Sequence, residues 1–154
     1  MGSEGNLHST VGPVYQAATA GVEQILAALQ RMSLSTESQQ PFSSDIIGQS
    51  AEQLAQAYDT DHGGLGKAPK FPNVGVYELF LRHYHHSKGS RFLEMVTHTL
   101  TKMAQGGIYD HLGGGFHRYS VDEKWLVPHF EKMLYDNAQL ARAYLLGYQA
   151  TGNA

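Results

Sequence analysis

In five segments of this chain, apolar residues recur at the three- and four-residue spacing of an α-helix, and stretches rich in glycine or proline separate the segments. The helices predicted in this way cover residues 22–32, 46–58, 74–86, 90–104 and 128–150. No strand ladder is predicted, although the pattern of residues 116–120 fits a short strand. The sequence therefore indicates an all-α fold, an array of helical hairpins joined by loops.

Several residues at the predicted helix ends favour a start or a stop. Asn73 is suited to capping the third helix, and Pro128 to the first turn of the fifth. Gly106 follows the fourth helix, at a position where left-handed backbone is common, and Gly152 closes the fifth. We therefore expect the fifth helix to begin at Pro128, directly after the preceding loop.

Composition excludes several classes of function. The chain has no cysteine, which rules out disulfides, cysteine-ligated metals and thiol chemistry within it. Its 11 Lys and Arg against 14 Asp and Glu give a net charge of −3 without a basic block, so neither a nucleic acid nor an anionic membrane is an expected partner. No apolar run approaches the roughly 18 residues that span a membrane, and the first ten residues lack the features of a secretory signal, so we expect a cytoplasmic protein.

The predicted loops are long, and they concentrate polar side chains. The second of them, residues 107–127, contains a triple glycine followed by His117, Arg118, Tyr119 and Asp122. A guanidinium, an imidazole and a carboxylate together suit the recognition of hydroxyl, carboxylate or carbonyl groups. The alternative interpretation is that these residues are buried hydrogen-bonding groups that attach the loop to the helices. Neither glycine-rich stretch matches a phosphate-binding loop, so we predict no nucleotide and no other cofactor.

The predicted fifth helix carries a broad apolar face with Asn137 inside it. A buried amide is costly unless it is hydrogen-bonded, so Asn137 needs a partner. His129, Lys132 and Asp136 form a polar row beside that face if the helix begins at Pro128. The row is either a solvated face with a Lys132–Asp136 ion pair or the lining of a cavity.

Histidine is abundant, with nine residues, but its spacing does not indicate a metal site. His83, His85 and His86 cluster near a helix end, where the helix dipole alone favours histidine. The spacing of His111, His117 and His129 along the chain does not require their side chains to meet. We therefore predict no metal ligand.

Two stretches of the chain resemble a known family. Residues 103–122 read MAQGGIYDHLGGGFHRYSVD, and after Trp125 residues 127–141 read VPHFEKMLYDNAQLA. Residues 63–72 read GGLGKAPKFP, with Leu65 where the family usually has Phe. Over residues 44–152 the chain is similar to the YyaL-type family of thioredoxin-domain proteins, whose animal members are called spermatogenesis-associated.

The resemblance implies a fold and an organisation. Family members pair a thioredoxin-like domain with a large toroid of helical hairpins, similar to six-hairpin glycosidases and N-acylglucosamine 2-epimerases. Residues 21–154 would be the N-terminal part of such an (α/α)6 toroid, incomplete in this chain, and residues 1–20 a poorly ordered leader or linker. Five helices cannot close the ring, so we expect exposed apolar faces and self-association.

The resemblance also implies a function connected with carbohydrate metabolism, in the form of sugar binding or epimerase- or isomerase-like chemistry in a longer protein. The candidate catalytic residues are His117, Asp122, His129 and Asp136. The candidate substrate-binding residues are Arg118, Tyr119, Trp125, Lys132 and Asn137. The expected partners are a carbohydrate or small-molecule ligand, the rest of the toroid and the thioredoxin-like domain. The alternative is a non-catalytic interaction module attached to that redox domain, and for this chain alone we expect no activity.

Overall fold

The computed structural model describes residue 16 and residues 19–30 and 45–153. The chain divides into two compact units, Met1–Phe42 and Ser43–Ala154. In the first unit, residues 19–30 form helix α1, which exposes an apolar row that includes Ile25 and Leu29. Most of the leader or linker predicted for residues 1–20 lies outside the described residues, as does the end of the first predicted helix.

Four helices build the second unit: α2 (Ile46–Ala55), α3 (Val74–Ser87), α4 (Ser90–Gln105) and α5 (Leu134–Thr151). Helix α3 packs against the other three, and α4 also contacts α5. Within the described ranges there is no strand, only isolated β-bridges such as Tyr109–Phe116. The all-α prediction is confirmed, whereas the toroid stays a prediction.

Helix α4 shows how the pattern of apolar residues forms the core. Its buried residues recur at helical spacing and are Phe92, Met95, Val96, Thr99, Leu100 and Met103. The ring of Phe92 packs against that of Phe80 on α3, with centroids 5.0 Å apart. Burial of a large apolar side chain contributes about 1.5–3 kcal/mol, so this seam is a main source of stability for the unit.

The prediction that the fifth helix begins at Pro128 is wrong, because α5 starts at Leu134. Residues 127–131 instead run beside residues 118–121 and pair with them through the backbone. The N–H of His129 donates to the carbonyl of Tyr119, and the N–H of Arg118 donates to the carbonyl of Glu131. These bonds hold the segment against residues 118–121, and the helix begins only where they end.

The prediction of left-handed backbone at Gly106 is also wrong. Gly106 has φ −83° and ψ 168°, an extended conformation. A Cβ atom at this position would collide with the carbonyl oxygen and the Cβ of Trp125. Glycine is required here because two backbones approach closely. Gly152, which was predicted to close the fifth helix, follows it in a left-handed conformation with φ 73°.

Helix α5 buries a different face from the one predicted. Its buried residues are Leu140, Ala143 and Gly147, and a Cβ at Gly147 would lie 3.1 Å from the Leu100 side chain of α4. Small residues thus let α5 approach its neighbours closely. Much of the predicted apolar face is exposed instead, and on α5 its exposed part forms, with Ala138, which was not among the predicted residues, a row that we call the α5 stripe. The row consists of Leu134, Ala138, Ala141, Leu145 and Tyr148.

Candidate functional site

A buried lysine that the sequence interpretation overlooked holds the loops of the second unit together. The side chain of Lys70 is fully buried, and its Nζ donates to Asp59 Oδ2 at 2.6 Å. It also donates to the carbonyls of Gly63, at 2.8 Å, and Glu123, at 2.9 Å. Nζ lies 5.4 Å from the centroid of the Trp125 ring. Three donors and three acceptors satisfy the ammonium completely.

The surroundings of Asp59 favour its charged form. Although partial burial raises the pKa of this carboxyl, the bonds from Lys70 and from the backbone N–H groups of His62 and Asp61 outweigh that effect and lower the pKa from 3.8 to about 2. The signal in the sequence was a lysine between proline and aromatic residues, in the segment Pro69–Phe71. Composition alone could not distinguish it from exposed Lys67.

Two of the candidate residues support the loop from inside. Trp125 is fully buried, and its Nε1 donates to the carbonyl of His62 at 2.9 Å. The Asp122 carboxylate accepts hydrogen bonds from the backbone N–H groups of Lys124, Leu126 and Val127. Partial burial raises the pKa of Asp122, but these bonds lower it overall. Asp122 therefore organises a turn, which agrees with the alternative interpretation of the loop residues as hydrogen-bonding groups that support the loop.

Asn137 and Lys132 close the triple-glycine loop. Asn137 Oδ1 accepts from the N–H of Phe116 at 2.7 Å, and its Nδ2 donates to the Phe116 carbonyl at 2.9 Å. The predicted need of this amide for a partner is thereby confirmed. Lys132 Nζ donates to an Asp110 carboxylate oxygen and to the carbonyl of Gly114. The predicted Lys132–Asp136 pair does not form, because Lys132 precedes the helix and bonds elsewhere.

Asp110 organises the turn that leads into the triple glycine. Its carboxylate accepts from the backbone N–H of Gly113 at 2.8 Å and of Leu112 at 3.0 Å, besides its bond to Lys132. These bonds, that of Gly113 above all, hold the pKa of Asp110 well below its usual range. The polar groups of this turn therefore form hydrogen bonds with one another and with Lys132.

Four candidate residues come together at one surface with Glu131. We call this surface the polar patch, and it comprises Arg118, Tyr119, His129, Glu131 and Asp136. Arg118 Nη1 donates to Glu131 Oε2 at 3.2 Å, which raises the pKa of the guanidinium. The ring of Tyr119 is stacked on that of His129, with centroids 4.6 Å apart. His129 Nδ1 lies 3.7 Å from Glu131 Oε2.

Phe71 extends the aromatic part of this surface. Its ring centroid lies 4.7 Å from that of Tyr119, and the Phe71 side chain is half-exposed. Phe71, Tyr119 and His129 therefore form a line of contacting rings beside the Arg118–Glu131 ion pair. An apolar ring face next to charged hydrogen-bonding groups suits a ligand that is apolar on one side and polar at its edges.

Asp136 differs from the other acidic residues of the region. It stands one turn before Leu140, on the side of α5 that faces the core, and its carboxylate accepts no hydrogen bond from any described residue. Burial raises the pKa of Asp136; the Arg118 charge opposes this shift and the Glu131 charge adds to it. A partly buried carboxylate without a committed donor is available to a ligand.

The described contacts of the His117 side chain do not include residues of the polar patch. Its ring packs edge-on against that of Phe130, with centroids 5.3 Å apart, and its buried Nδ1 has no hydrogen-bond partner among the described residues. Its backbone N–H donates to the carbonyl of Ile108. Of the nine candidates, Asp122, Trp125, Lys132 and Asn137 are occupied by loop contacts, whereas Arg118, Tyr119, His129 and Asp136 share the patch. No group of three or more potential metal-ligating side chains occurs in the part of the chain that the structure describes.

The chain is similar to several curated proteins. It is 43% identical to human "Spermatogenesis-associated protein 20" over 136 residues, which are 86% of this chain and 17% of the relative. The rat protein of the same name is 41% identical over 136 residues, again 86% of this chain and 17% of the relative. These matches support the family that the motifs indicated. The mouse spermatogenesis-associated protein is 48% identical over 106 residues, 66% of this chain and 13% of the relative.

The chain spans about one sixth of the length of the first two spermatogenesis-associated relatives, 17% in each case. No family model matches the chain. Among the described residues, no helix combines the length and apolar character needed to cross a membrane.

Proposed function

We propose that the polar patch, together with Phe71, is a carbohydrate-binding surface that serves sugar epimerase- or isomerase-like chemistry in a protein of the relatives' length. The observation that carries the proposal is the line of contacting rings beside the Arg118–Glu131 ion pair. Sugars present apolar C–H faces and polar hydroxyl edges, and this surface offers a counterpart to both. The same patch contains two groups suited to proton transfer, His129 and Asp136.

The roles within the patch follow from the contacts. Arg118, held by Glu131, would orient a hydroxyl or carbonyl group of the sugar through its remaining N–H donors. His129 or Asp136 would accept a proton from the carbon next to that carbonyl. Asp122, Trp125, Lys132 and Asn137 act as positioning residues, because their side chains hold the loops that present the patch.

Sugar binding by the chain tests the proposal directly. Saturation-transfer NMR with a panel of aldoses, ketoses and N-acyl sugars at millimolar concentration measures contact without requiring turnover. We expect at least one sugar to bind, and the Arg118→Ala and His129→Ala variants to bind it about tenfold more weakly. Arg82→Ala and His85→Ala are matched controls, since both residues are exposed on α3. If no sugar binds, or if the patch variants bind like the controls, the proposal is wrong.

A second candidate function is a non-catalytic interaction module, and the α5 stripe favours it. Leu134 is 86% exposed, Leu145 54% and Tyr148 51%, all on one side of α5. A continuous exposed apolar row on a helix is typical of a surface that another segment covers. In this proposal the rest of a helical toroid packs on the stripe, and the assembly presents peptides or glycans to a thioredoxin-like domain. Binding of a ligand to a protein of the relatives' length without turnover would favour this function over the first.

A further inference from the structure

A groove between the beginnings of α3 and α5 lies next to the polar patch. It has a volume of about 380 Å³ and is lined by Phe71, Asn73, Asp136 and Gln139 together with the first residues of α3. Ligand pockets typically have volumes of about 300–1,000 Å³, so the groove is large enough for a small molecule. Asp136 belongs to both features, and Phe71 connects them, because its ring contacts Tyr119 of the patch and also lines the groove.

The polar groups in the groove are uncommitted. Asn73 precedes α3 as its N-cap, a position where an asparagine side chain usually bonds the helix backbone, yet it makes no such bond. Its backbone has φ 47° and ψ 44°, which directs the chain sharply into α3. Neither Asn73 nor Gln139 has a side-chain hydrogen bond to a described residue, and both are exposed. With the free carboxylate of Asp136, the groove thus offers two amides and one acceptor to a ligand.

The charge of the groove limits the ligand class. Asp136 is the charged residue among those that line it, and the nearby Arg118 is already paired with Glu131. The Asp136 carboxylate would repel an anionic sugar in the groove, whereas hydroxyl groups would donate hydrogen bonds to it. Amides both donate and accept, which matches the hydroxyls of a neutral sugar.

We propose that this groove is a binding subsite for a neutral monosaccharide ring. The ring lies with its C–H face on Phe71, and its hydroxyls bond Asn73, Gln139 and Asp136. The inference rests on the proposed carbohydrate function and adds to it the place of one sugar ring and a selection against acidic sugars. Arg118 and Glu131 are the charged groups of the patch that act on Asp136, and from the α3 side the groove is lined by uncharged residues.

The side-chain amide signals of Asn73 and Gln139 in the ¹⁵N-labelled chain report on this groove directly. We expect saturable shifts of both signals with at least one of the methyl pyranosides of glucose, galactose and mannose, and weaker binding of glucuronate. Gln139→Ala should weaken binding about fivefold, which is the loss expected for one neutral hydrogen bond. Gln149→Ala is the control, because this glutamine is also exposed on α5 but lies outside the groove.

Lowering the pH supplies a second readout. The ionised carboxylate is the better acceptor, so affinity should be full at neutral pH and fall as the pH drops through the raised pKa of Asp136. Asp136→Asn should bind more weakly at neutral pH and lose this pH dependence. Gln139→Ala and Asp136→Asn both change polar side chains at or near the surface, and circular dichroism verifies that the two variants fold.

The outcomes separate the two proposals. Sugar-induced shifts at Tyr119 and His129 without shifts at Asn73 and Gln139 would overturn the groove subsite and leave the carbohydrate function in place. No shift anywhere with any sugar would overturn both. Glucuronate binding as tight as that of the neutral pyranosides would also overturn the groove subsite, because the charge of Asp136 would then play no part in selection.

Discussion

The Nζ atom of Lys70 lies 2.6 Å from Oδ2 of Asp59, and the lysine side chain that makes this contact is fully buried. The same ammonium bonds the carbonyls of Gly63 and Glu123, which belong to two different loops. A buried charge of this kind is tolerated only with all its partners in place, because an unpaired charge in the interior is strongly unfavourable. Through its bond to Glu123, Lys70 therefore links the loop after α2 to the loop before α5.

Replacing Lys70 should severely destabilise the second unit. Lys70→Met keeps most of the side-chain volume but leaves the Asp59 carboxylate and two carbonyls without their donor. We expect the free energy of unfolding in urea to fall by about 3–5 kcal/mol. Lys67→Met is the matched control, since Lys67 is exposed in the same loop, and it should change stability by less than about 0.5 kcal/mol. Equal stability of the two variants would contradict the role assigned to Lys70.

Acid should remove the contribution of Asp59. Its pKa is lowered from 3.8 to about 2 in the folded chain, so the unfolded state binds the proton more readily. The stabilisation of about 2 kcal/mol is complete above about pH 4 and disappears as the pH falls toward 2. Urea unfolding measured across this range should show a steep loss of stability. Asp59→Asn should make the loss shallower, and an unchanged slope would count against this explanation.

Asn137→Ala should loosen the triple-glycine loop. The substitution leaves the N–H and the carbonyl of Phe116 without their side-chain partner. An unsatisfied buried polar group costs about 1–3 kcal/mol, so we expect a loss of that size together with faster hydrogen exchange at the Phe116 amide. Asn153→Ala, at an exposed position after α5, should change neither quantity. Unaltered exchange at Phe116 in the Asn137 variant would be incompatible with the observed bonds holding the loop.

The α5 stripe should cause self-association of the isolated chain. Sedimentation velocity over a range of concentrations should detect dimers or larger species, because exposed apolar rows associate in water. Leu145→Lys places a charge in the middle of the row and should shift the chain toward the monomer. Ala150→Lys adds the same charge to another side of α5 and should leave association unchanged. A wild-type chain that remains monomeric at high concentration would show that the stripe is not adhesive by itself.

How far the sequence could predict the fold depended on whether the signal was local. Periodicity located α3 and α4 closely, because each presents one apolar row to the core and ends at residues that disfavour helix. It failed at the beginning of α5, where Pro128 is a good first-turn residue but the backbone of residues 127–131 bonds residues 118–121 instead. Helix propensity is a small local preference, and pairing with a distant segment outweighed it.

The candidate site was predictable in residue type but not in grouping. Arg118, Tyr119, His129 and Asp136 were all identified from the residues and the family resemblance, and they do meet at one surface. Asp122, Lys132, Trp125 and Asn137 were identified on the same grounds, yet their side chains bond the loops. Whether a polar residue faces a ligand or a backbone amide depends on which other segment lies beside it, and spacing along the chain contains no such information.

By itself the sequence determined the all-α class, the positions of most helices and the family resemblance, because apolar periodicity and continuous motifs are properties of neighbouring residues. Only the tertiary structure decided that Lys70 is buried, that α5 faces the core with Leu140 and Ala143, and that no described residue donates a hydrogen bond to Asp136. Each of these depends on contacts between segments far apart in the chain. Burial and the pairing of charges are physical consequences of those contacts, so they exist only once the chain has folded.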